Sequence, residues 1–209
     1  MKGKFLVLEG MDGCGKSTQA DALVAWMSDQ GHQPLHVREP GTTSVGENLR
    51  QLLLDPDRQA WDPKTEALLF FAARTELLRQ CVVPALKKGQ DVVCERFTPS
   101  TLAYQGHEPE MADFILSLDA MLIPPSEQPQ LTLILDLDPE VAFRRTHQRG
   151  SADGMEKRGV DFQRKVRQGY LRYAKARPLA SKVLSVGELN SAQVTEVILP
   201  IATDFFAWS

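Results

Sequence analysis

The sequence has few of the features that mark secreted, membrane-bound or polynucleotide-binding proteins. Its three cysteines show no Cys-x-x-Cys spacing, which argues against a disulfide framework and favours a reducing, cytoplasmic setting. No apolar run approaches the roughly 20 residues of a membrane helix, and the first run is too short for a secretion signal. The net charge of −3 argues against a broad basic surface for a nucleic acid polymer, so neither that partner nor a membrane is expected.

Metal-ligand patterns and the signatures of several nucleotide-binding classes are also missing. The four histidines, at positions 32, 36, 107 and 147, have no metal-ligand spacing. The chain contains no Asn-Lys-x-Asp motif, which a GTPase would use to recognise guanine, and no LSGG signature of an ABC transporter. A nucleotide-binding role, if present, is therefore expected to belong to another class, such as small-molecule kinases.

Short apolar runs alternate with longer helical patterns along the chain, a pattern typical of an α/β fold with a parallel sheet covered on both faces. Strands are predicted at residues 5–8, 35–38, 91–94, 131–135 and 183–186. Helices are predicted at residues 16–30, 45–54, 63–88, 139–149, 162–176 and 191–206, with a kink or break at Pro84. The length suits one domain, residues 1–209. Residues 150–159, rich in glycine and charge, are interpreted as either a short lid or a solvated connector.

A complete Walker A pattern stands between the first predicted strand and the first predicted helix. With the next residue it comprises Gly10, Met11, Asp12, Gly13, Cys14, Gly15, Lys16, Ser17 and Thr18. Glycines let backbone N–H groups turn toward an anion, and the new helix directs its positive end at the same place. We expect Lys16 to bind the β- and γ-phosphates of ATP and Ser17 to be a ligand of Mg²⁺.

Beginning with this loop, the chain resembles the thymidylate kinase family of the bacterial type. The matching blocks are FLVLEGMDGCGKSTQ (5–19), REPGTTSVGENLRQLLLD (38–55), TEALLFFAAR (65–74), VVPALKKGQDVVCERF (82–97), STLAYQG (100–106) and LTLILDLDPEVAFRR (131–145). The blocks are collinear over nearly the whole chain. The resemblance implies a P-loop nucleoside monophosphate kinase fold, a homodimer, and phosphorylation of dTMP to dTDP by ATP and Mg²⁺.

The same resemblance implies which residues bind the acceptor nucleotide. They are Asp12, Glu39, Arg50, Phe70, Arg74, Arg96, Ser100, Thr101, Tyr104 and Gln105. The side-chain chemistry fits thymine, because Arg74 can donate to the O4 carbonyl, Gln105 can accept from N3–H, and Phe70 can stack on the ring. By the same resemblance, Arg50 and Arg96 would bind the acceptor phosphate and Asp12 would contact the 3′-OH. Tyr104 would exclude a ribose 2′-OH by occupying its space.

The resemblance implies Lys16, Glu95 and Arg96 as catalytic residues, but the chain departs from the family pattern in the catalytic arginine, for which Arg149 is the candidate. The loop at residues 11–14 has no arginine, and Gly154 stands where the lid pattern has one. Arg149, Lys157 or Arg158 could supply the missing cation, and Arg149 is preferred. The family's glycine-rich stretch after Gly106 is replaced by residues 107–109. A kinase for another pyrimidine nucleotide or deoxynucleoside, and a nucleotide-binding regulatory protein with weak turnover, remain alternatives.

Overall fold

A five-stranded parallel sheet forms the centre of the computed structural model, which describes residues 3–57, 59–148, 158–187 and 189–207. The strands are β1 Phe5–Gly10, β2 Leu35–Arg38, β3 Val92–Glu95, β4 Leu131–Asp136 and β5 Ser181–Ser185. Their order is β2-β3-β1-β4-β5, and all four pairings are parallel. The predicted strands are confirmed to within two residues, as is the predicted sheet.

Helices cover both faces of this sheet, as predicted. They are α1 Lys16–Asp29, α2 Ser44–Leu54, α3 Pro63–Leu77, α4 Val83–Lys87, α5 Thr98–Gln105, α6 Pro109–Leu122, α7 Pro139–Gln148, α8 Gly159–Ala176 and α9 Ser191–Phe206. Side chains of β1 alternate between two apolar clusters, with Leu6 and Leu8 in one and Phe5 and Val7 in the other. Because all four are fully buried, each contributes roughly 1.5–3 kcal/mol of hydrophobic stabilisation.

The sheet gathers the residues that follow its strands at one edge. In parallel strands the carboxyl ends lie together, and ligands of open α/β sheets bind beside them where the chain connections diverge. The loops after β1, β2 and β3 carry Asp12, Glu39 and Arg96, respectively. A ligand-binding site is therefore expected at the carboxyl edge of these three strands.

Two helices, α5 and α6, have no counterpart among the predicted elements. The buried positions of α5 include the polar residues Thr98, Thr101 and Gln105, so an apolar helical periodicity is missing. Helix α6 exposes Leu116 and Met121, which blurs its separation into an apolar and a polar face. Residues 106–109, which include the replacement for the family's glycine-rich stretch, form only the short connection between these two helices and the first residue of α6.

The long helix predicted at residues 63–88 is divided into three segments. Helix α3 ends at Leu77, a π-helical segment spans Leu78–Val82, and α4 begins at Val83 with Pro84 in its first turn. Proline has no N–H, and its ring clashes with the carbonyl four residues earlier, so the turn before it widens. Helix α8 begins at Gly159, three residues before its predicted start and inside the predicted lid. None of the described helices is both long and apolar enough to cross a bilayer.

Candidate active site

The Walker A loop has the backbone conformation of a phosphate-binding loop. Gly13 and Gly15 adopt φ angles of 84° and 98°, in the left-handed region where a side chain would be strained. The side chains of Met11 and Cys14 turn inward and are only 1% and 3% exposed, so they pack in the core. These two residues can therefore contact a phosphate only through their backbone N–H groups.

Lys16 lies in the first turn of α1 and folds back over its own loop. Its Nζ donates to the carbonyl oxygens of Gly10 and Met11 at 3.0 and 2.9 Å, and lies 3.9 Å from Asp12 Oδ1. The side chain is buried, and only 7% of the residue is exposed. An ammonium held by carbonyl oxygens inside a phosphate loop can exchange them for phosphate oxygens with little movement.

Ser17 and Glu95 bring two oxygen ligands together beside the loop. Ser17 Oγ donates to Glu95 Oε2 at 2.5 Å, and His36 Nε2 lies 3.2 Å from Glu95 Oε1. Burial raises the pKa of Glu95, but His36 and Ser17 outweigh that effect and hold it below its usual value. The described residues contain no cluster of three or more His, Cys, Asp or Glu side chains suited to a metal. Two hard oxygens suit Mg²⁺, which commonly takes its other ligands from phosphates and water.

A wide cleft opens over the Walker A loop and is rich in cations. Its lining includes Gly13, Gly15, Lys16, Ser17, Thr18, Arg38, Arg50, Arg96 and Arg145. Arg145, on α7, is missed by the sequence prediction, although it lies four residues before Arg149 in the helix predicted at residues 139–149. Arg149 itself lies outside the described residues, as do Gly154 and Lys157 of the predicted lid.

A second cleft adjoins the first, and its walls enclose about 510 Å³ of space, part of it open to solvent. Its lining contains all ten predicted acceptor residues, namely Asp12, Glu39, Arg50, Phe70, Arg74, Arg96, Ser100, Thr101, Tyr104 and Gln105. Asp12, Glu39, Arg50 and Arg96 line both clefts. The two clefts therefore meet at a boundary formed by two carboxylates and two guanidinium groups.

Arg74 is the most deeply buried cation of the second cleft, with only 1% of the residue exposed. Its guanidinium lies between the rings of Phe71 and Phe97, 4.6 and 4.9 Å from their centroids. Nε donates to Glu39 Oε2 at 2.7 Å, and Nη2 donates to Thr101 Oγ1 at 3.1 Å. Nη1 has no hydrogen-bond partner within the described part of the chain, so it is a fixed donor at the cleft.

The partner carboxylate of Arg74 is unusually basic. Complete burial raises the pKa of Glu39 from 4.5 to about 7, even though the Arg74 guanidinium acts in the opposite direction. Glu39 Oε1 is buried and lacks a hydrogen-bond partner among the residues that the structure describes. Glu39, predicted to bind substrate, thus lines the cleft while it also holds Arg74 in place.

Gln105 faces the same cleft from the end of α5. Its Nε2 donates to Glu66 Oε2 at 2.9 Å, while Arg158 Nη2 donates to Glu66 Oε1 at 2.6 Å. Gln105 Oε1 is buried and has no hydrogen-bond partner among the described residues. The sequence prediction misses Glu66, although Glu66, Phe70 and Arg74 follow one another at four-residue spacing on one helix face. Arg158, one of the three candidate lid cations, therefore contacts Glu66, the carboxylate that also accepts from the Gln105 amide.

Arg96 and Asp12 form a half-buried ion pair where the two clefts meet. Arg96 has a φ of 70°, rare for a residue with a side chain, and its Nη2 donates to Asp12. Its Nη1 donates to Ser100 Oγ at 3.0 Å and to Tyr170 Oη at 3.1 Å. Tyr104 Oη donates to Asp12 Oδ2 at 2.7 Å. Although burial raises it, the pKa of Asp12 falls to about 2, chiefly because of the Arg96 charge.

Glu9 forms hydrogen bonds with residues that follow Arg96, and it is also absent from the predicted site. It is fully buried in β1 and accepts from Phe97 N at 2.7 Å and Ser100 Oγ at 2.6 Å. Burial raises the pKa of Glu9, an effect that the nearby Arg96 charge partly offsets. The available signal is a carboxylate inside the apolar run before the Walker A loop, because such a residue is buried only where partners satisfy it.

The chain is similar throughout its length to known thymidylate kinases. The family model described as thymidylate kinase matches residues 8–196. The thymidylate kinase of Dinoroseobacter shibae is 40% identical over 198 residues, covering 94% of this chain and 95% of that protein. That of Ectopseudomonas mendocina is 41% identical over 188 residues, covering 90% of each. The crystal structure of thymidylate kinase from Ehrlichia chaffeensis superposes with a TM-score of 0.77 at 28% identity, over 97% of this chain and 99% of that one.

Proposed function

The chain belongs to the thymidylate kinase family, and from this premise we propose that it transfers the γ-phosphoryl group of ATP to dTMP, giving ADP and dTDP. One observation carries the choice of base. Arg74 Nη1 is a buried donor and Gln105 Oε1 a buried acceptor, both without hydrogen-bond partners among the described residues. Thymine offers the O4 acceptor and the N3–H donor that complement them, whereas cytosine offers an amino donor and an acceptor.

Phe70 completes the proposed base site. It lies on α3 between Glu66 and Arg74 and lines the second cleft as a half-buried ring. The flat apolar face of thymine would stack on this ring. On the sugar side, Asp12 with its pKa of about 2 is an ionised acceptor for the 3′-OH at neutral pH. Tyr104, which donates to Asp12, would crowd out a ribose 2′-OH in this arrangement.

The proposed chemistry needs positioning and charge more than a general base. The acceptor phosphate is largely dianionic at neutral pH because its second pKa is about 6. Arg50 and Arg96 line both clefts and would hold this phosphate in line with the γ-phosphate, each with a guanidinium suited to two phosphate oxygens. Lys16 would exchange its carbonyl partners for the phosphates of ATP and stabilise the charge of the transferred group.

The donor set beside Lys16 fits a magnesium ion. Ser17 Oγ and Glu95, two hard oxygen donors in hydrogen-bond contact, would hold it directly or through water. Bound there, Mg²⁺ would neutralise charge on the β- and γ-phosphate oxygens. His36 lies beside Glu95 and would keep its carboxylate oriented toward Ser17.

The proposal is tested by ADP release from ATP and Mg²⁺ with dTMP, dUMP, dCMP and thymidine supplied separately. Turnover with dTMP that exceeds the other acceptors by orders of magnitude is the expected result. Turnover with another acceptor would reassign the specificity. ATP binding without turnover on any acceptor would contradict the enzyme proposal and indicate a nucleotide-binding regulatory protein instead. Lys16→Met is the control for ATP-dependent phosphoryl transfer.

We further propose a cytoplasmic homodimer formed through α3 and α6. These helices pack together, and they expose Leu68 (49%), Leu116 (38%) and Met121 (72%). Apolar side chains this exposed are typical of a contact surface when they lie together. All three cysteines of the chain are free thiols, as in a reducing compartment. Light scattering coupled to gel filtration tests the dimer, and a monomer at micromolar concentration would contradict it.

A further inference from the structure

The orientation of the Gln105 amide is set by a carboxylate behind it. Glu66 is only 1% exposed, and its two oxygens accept from Gln105 Nε2 at 2.9 Å and from Arg158 Nη2 at 2.6 Å. An ionised carboxylate can only accept hydrogen bonds. The NH₂ group of Gln105 must therefore face Glu66, and its oxygen must face the cleft.

We propose that Glu66 is a positioning residue for base selection, acting through Gln105; the inference rests on the proposed dTMP kinase function. A glutamine amide is nearly symmetrical in shape, so rotation by half a turn would present NH₂ to the base instead of oxygen. The rotated amide would match the N3 acceptor of cytosine and oppose the N3–H of thymine. Glu66 removes this alternative because the rotated amide would direct its oxygen at a buried carboxylate.

Arg158 determines which hydrogen-bonding group of residue 66 is left to face Gln105. A guanidinium can only donate, so whatever occupies position 66 must turn an acceptor toward it. The Arg158 guanidinium lies 5.0 Å from the ring centroid of Phe162, which helps to hold it at the start of α8. Glu66 satisfies both Gln105 and Arg158 because each of its two carboxylate oxygens accepts a hydrogen bond. An amide at position 66 cannot accept from both.

This asymmetry predicts a specific result for Glu66→Gln. The new amide would turn its oxygen to Arg158 and therefore its NH₂ to Gln105. Gln105 would then rotate to accept that hydrogen bond and would present its own NH₂ to the cleft. The substitution thus reverses the hydrogen-bonding character offered to N3 without changing the volume or the backbone of the site.

The test compares two ligands that differ only in the hydrogen-bonding groups at N3 and C4, dTMP and 5-methyl-dCMP. Calorimetric titration without ATP gives their dissociation constants for wild type, Glu66→Gln, Gln105→Ala and the double variant. We expect Glu66→Gln to lower the ratio of dTMP to 5-methyl-dCMP affinity by about 10- to 100-fold, the scale of one or two hydrogen-bond contacts. All of these variants retain Arg74, which prefers the O4 carbonyl of thymine. This preference contributes equally to every affinity ratio and cancels when the ratios of two variants are compared.

Two further arms separate positioning from structural support. If Glu66 acts through Gln105, Glu66→Gln has no effect on the affinity ratio in the Gln105→Ala background. In the Glu66→Gln background, Arg158→Met removes the demand for an acceptor, and the affinity ratio should return toward the wild-type value. In Glu66→Gln the KM for dTMP should rise, while kcat at saturating dTMP stays within about threefold, because the change lies on the base side.

An unchanged affinity ratio in Glu66→Gln would overturn the inference. So would an equal loss of affinity for both ligands together with a lower melting temperature, since this pattern indicates support of the fold alone. A ratio that Arg158→Met does not restore would overturn the part assigned to Arg158. Failure of the proposed function would look different, because the wild-type protein would then show no turnover with dTMP whatever its binding ratio.

Discussion

Replacing Arg74 with methionine removes the guanidinium of a buried ion pair and leaves an apolar chain among Phe71 and Phe97. Breaking such a pair usually costs about 3–5 kcal/mol when the remaining partner keeps its charge. Here the partner is Glu39, whose pKa burial already raises to about 7. Glu39 can therefore reduce the cost by taking up a proton, and the destabilisation should depend on pH.

The sign and size follow from the two pKa values of Glu39. Its pKa is about 7 in the folded chain against 4.5 ordinarily, so the folded state holds the proton more tightly. The free energy of unfolding therefore falls as pH rises from 4.5 to about 7, by about 1.4 kcal/mol per pH unit, and then levels off. Arg74 lowers this pKa, so Arg74→Met raises it further and the decline continues to pH 8. The substitution should cost about 1.4 kcal/mol more at pH 8 than at pH 5.5.

Urea unfolding of wild type and Arg74→Met at pH 5.5 and pH 8.0 measures this difference. The double variant Glu39→Gln/Arg74→Met is the matched control, because it has no titrating group at position 39. Its stability relative to wild type should lack the extra loss above pH 7 that Arg74→Met shows. Equal destabilisation by Arg74→Met at both pH values would refute the reasoning that Glu39 is protonated in the absence of Arg74.

Other substitutions test the phosphate site and the packing beneath it. Lys16→Met should reduce kcat by about 10²- to 10³-fold, as loss of transition-state charge stabilisation does, while titration shows dTMP affinity within about threefold of wild type. Glu95→Gln should raise the Mg²⁺ concentration for half-maximal rate by about 10-fold with little change in the KM for dTMP; an unchanged Mg²⁺ dependence would exclude Glu95 from the metal site. Gly169→Ala should lower the free energy of unfolding by about 1–3 kcal/mol, because its Cβ would lie 2.7 Å from Ala103 Cα. Gly187→Ala, where a Cβ would meet no atom of the described residues within 4 Å, is the control and should unfold at nearly the wild-type urea concentration.

The sheet and most helices could be predicted because their signals are local. Residues 5–8 are a continuous apolar run, and residues 131–135 are apolar apart from Thr132, as expected of strands buried on both faces. Helix α5 could not be predicted, because it buries the polar residues Thr101 and Gln105 beside the cleft of the proposed site. Its helical pattern is obscured by the polar residues that line the proposed site.

The ten residues proposed to bind the acceptor were chosen from motif resemblance, and all ten line one cleft. Their supporting residues could not be predicted in this way, since the link between Glu66 and Arg158 joins positions 92 residues apart. Pattern and propensity describe neighbours in sequence, whereas such a pair depends on how the start of α8 is placed against α3. Glu9 and Arg145 are intermediate cases, because each leaves a weak local signal that gains meaning only beside the folded cleft.

Asp12 has a consequence for how new specificities could evolve on this scaffold. One carboxylate in the Walker A loop accepts from Arg96 and Tyr104 and lies 3.9 Å from Lys16. A mutation of Asp12 would alter the proposed ATP and dTMP sites together. Selection therefore cannot change the binding of one substrate at this position without changing the binding of the other. Adaptive change should instead accumulate around Arg74 and Gln105, at the far end of the second cleft, where acceptor preference can drift while phosphoryl transfer is preserved.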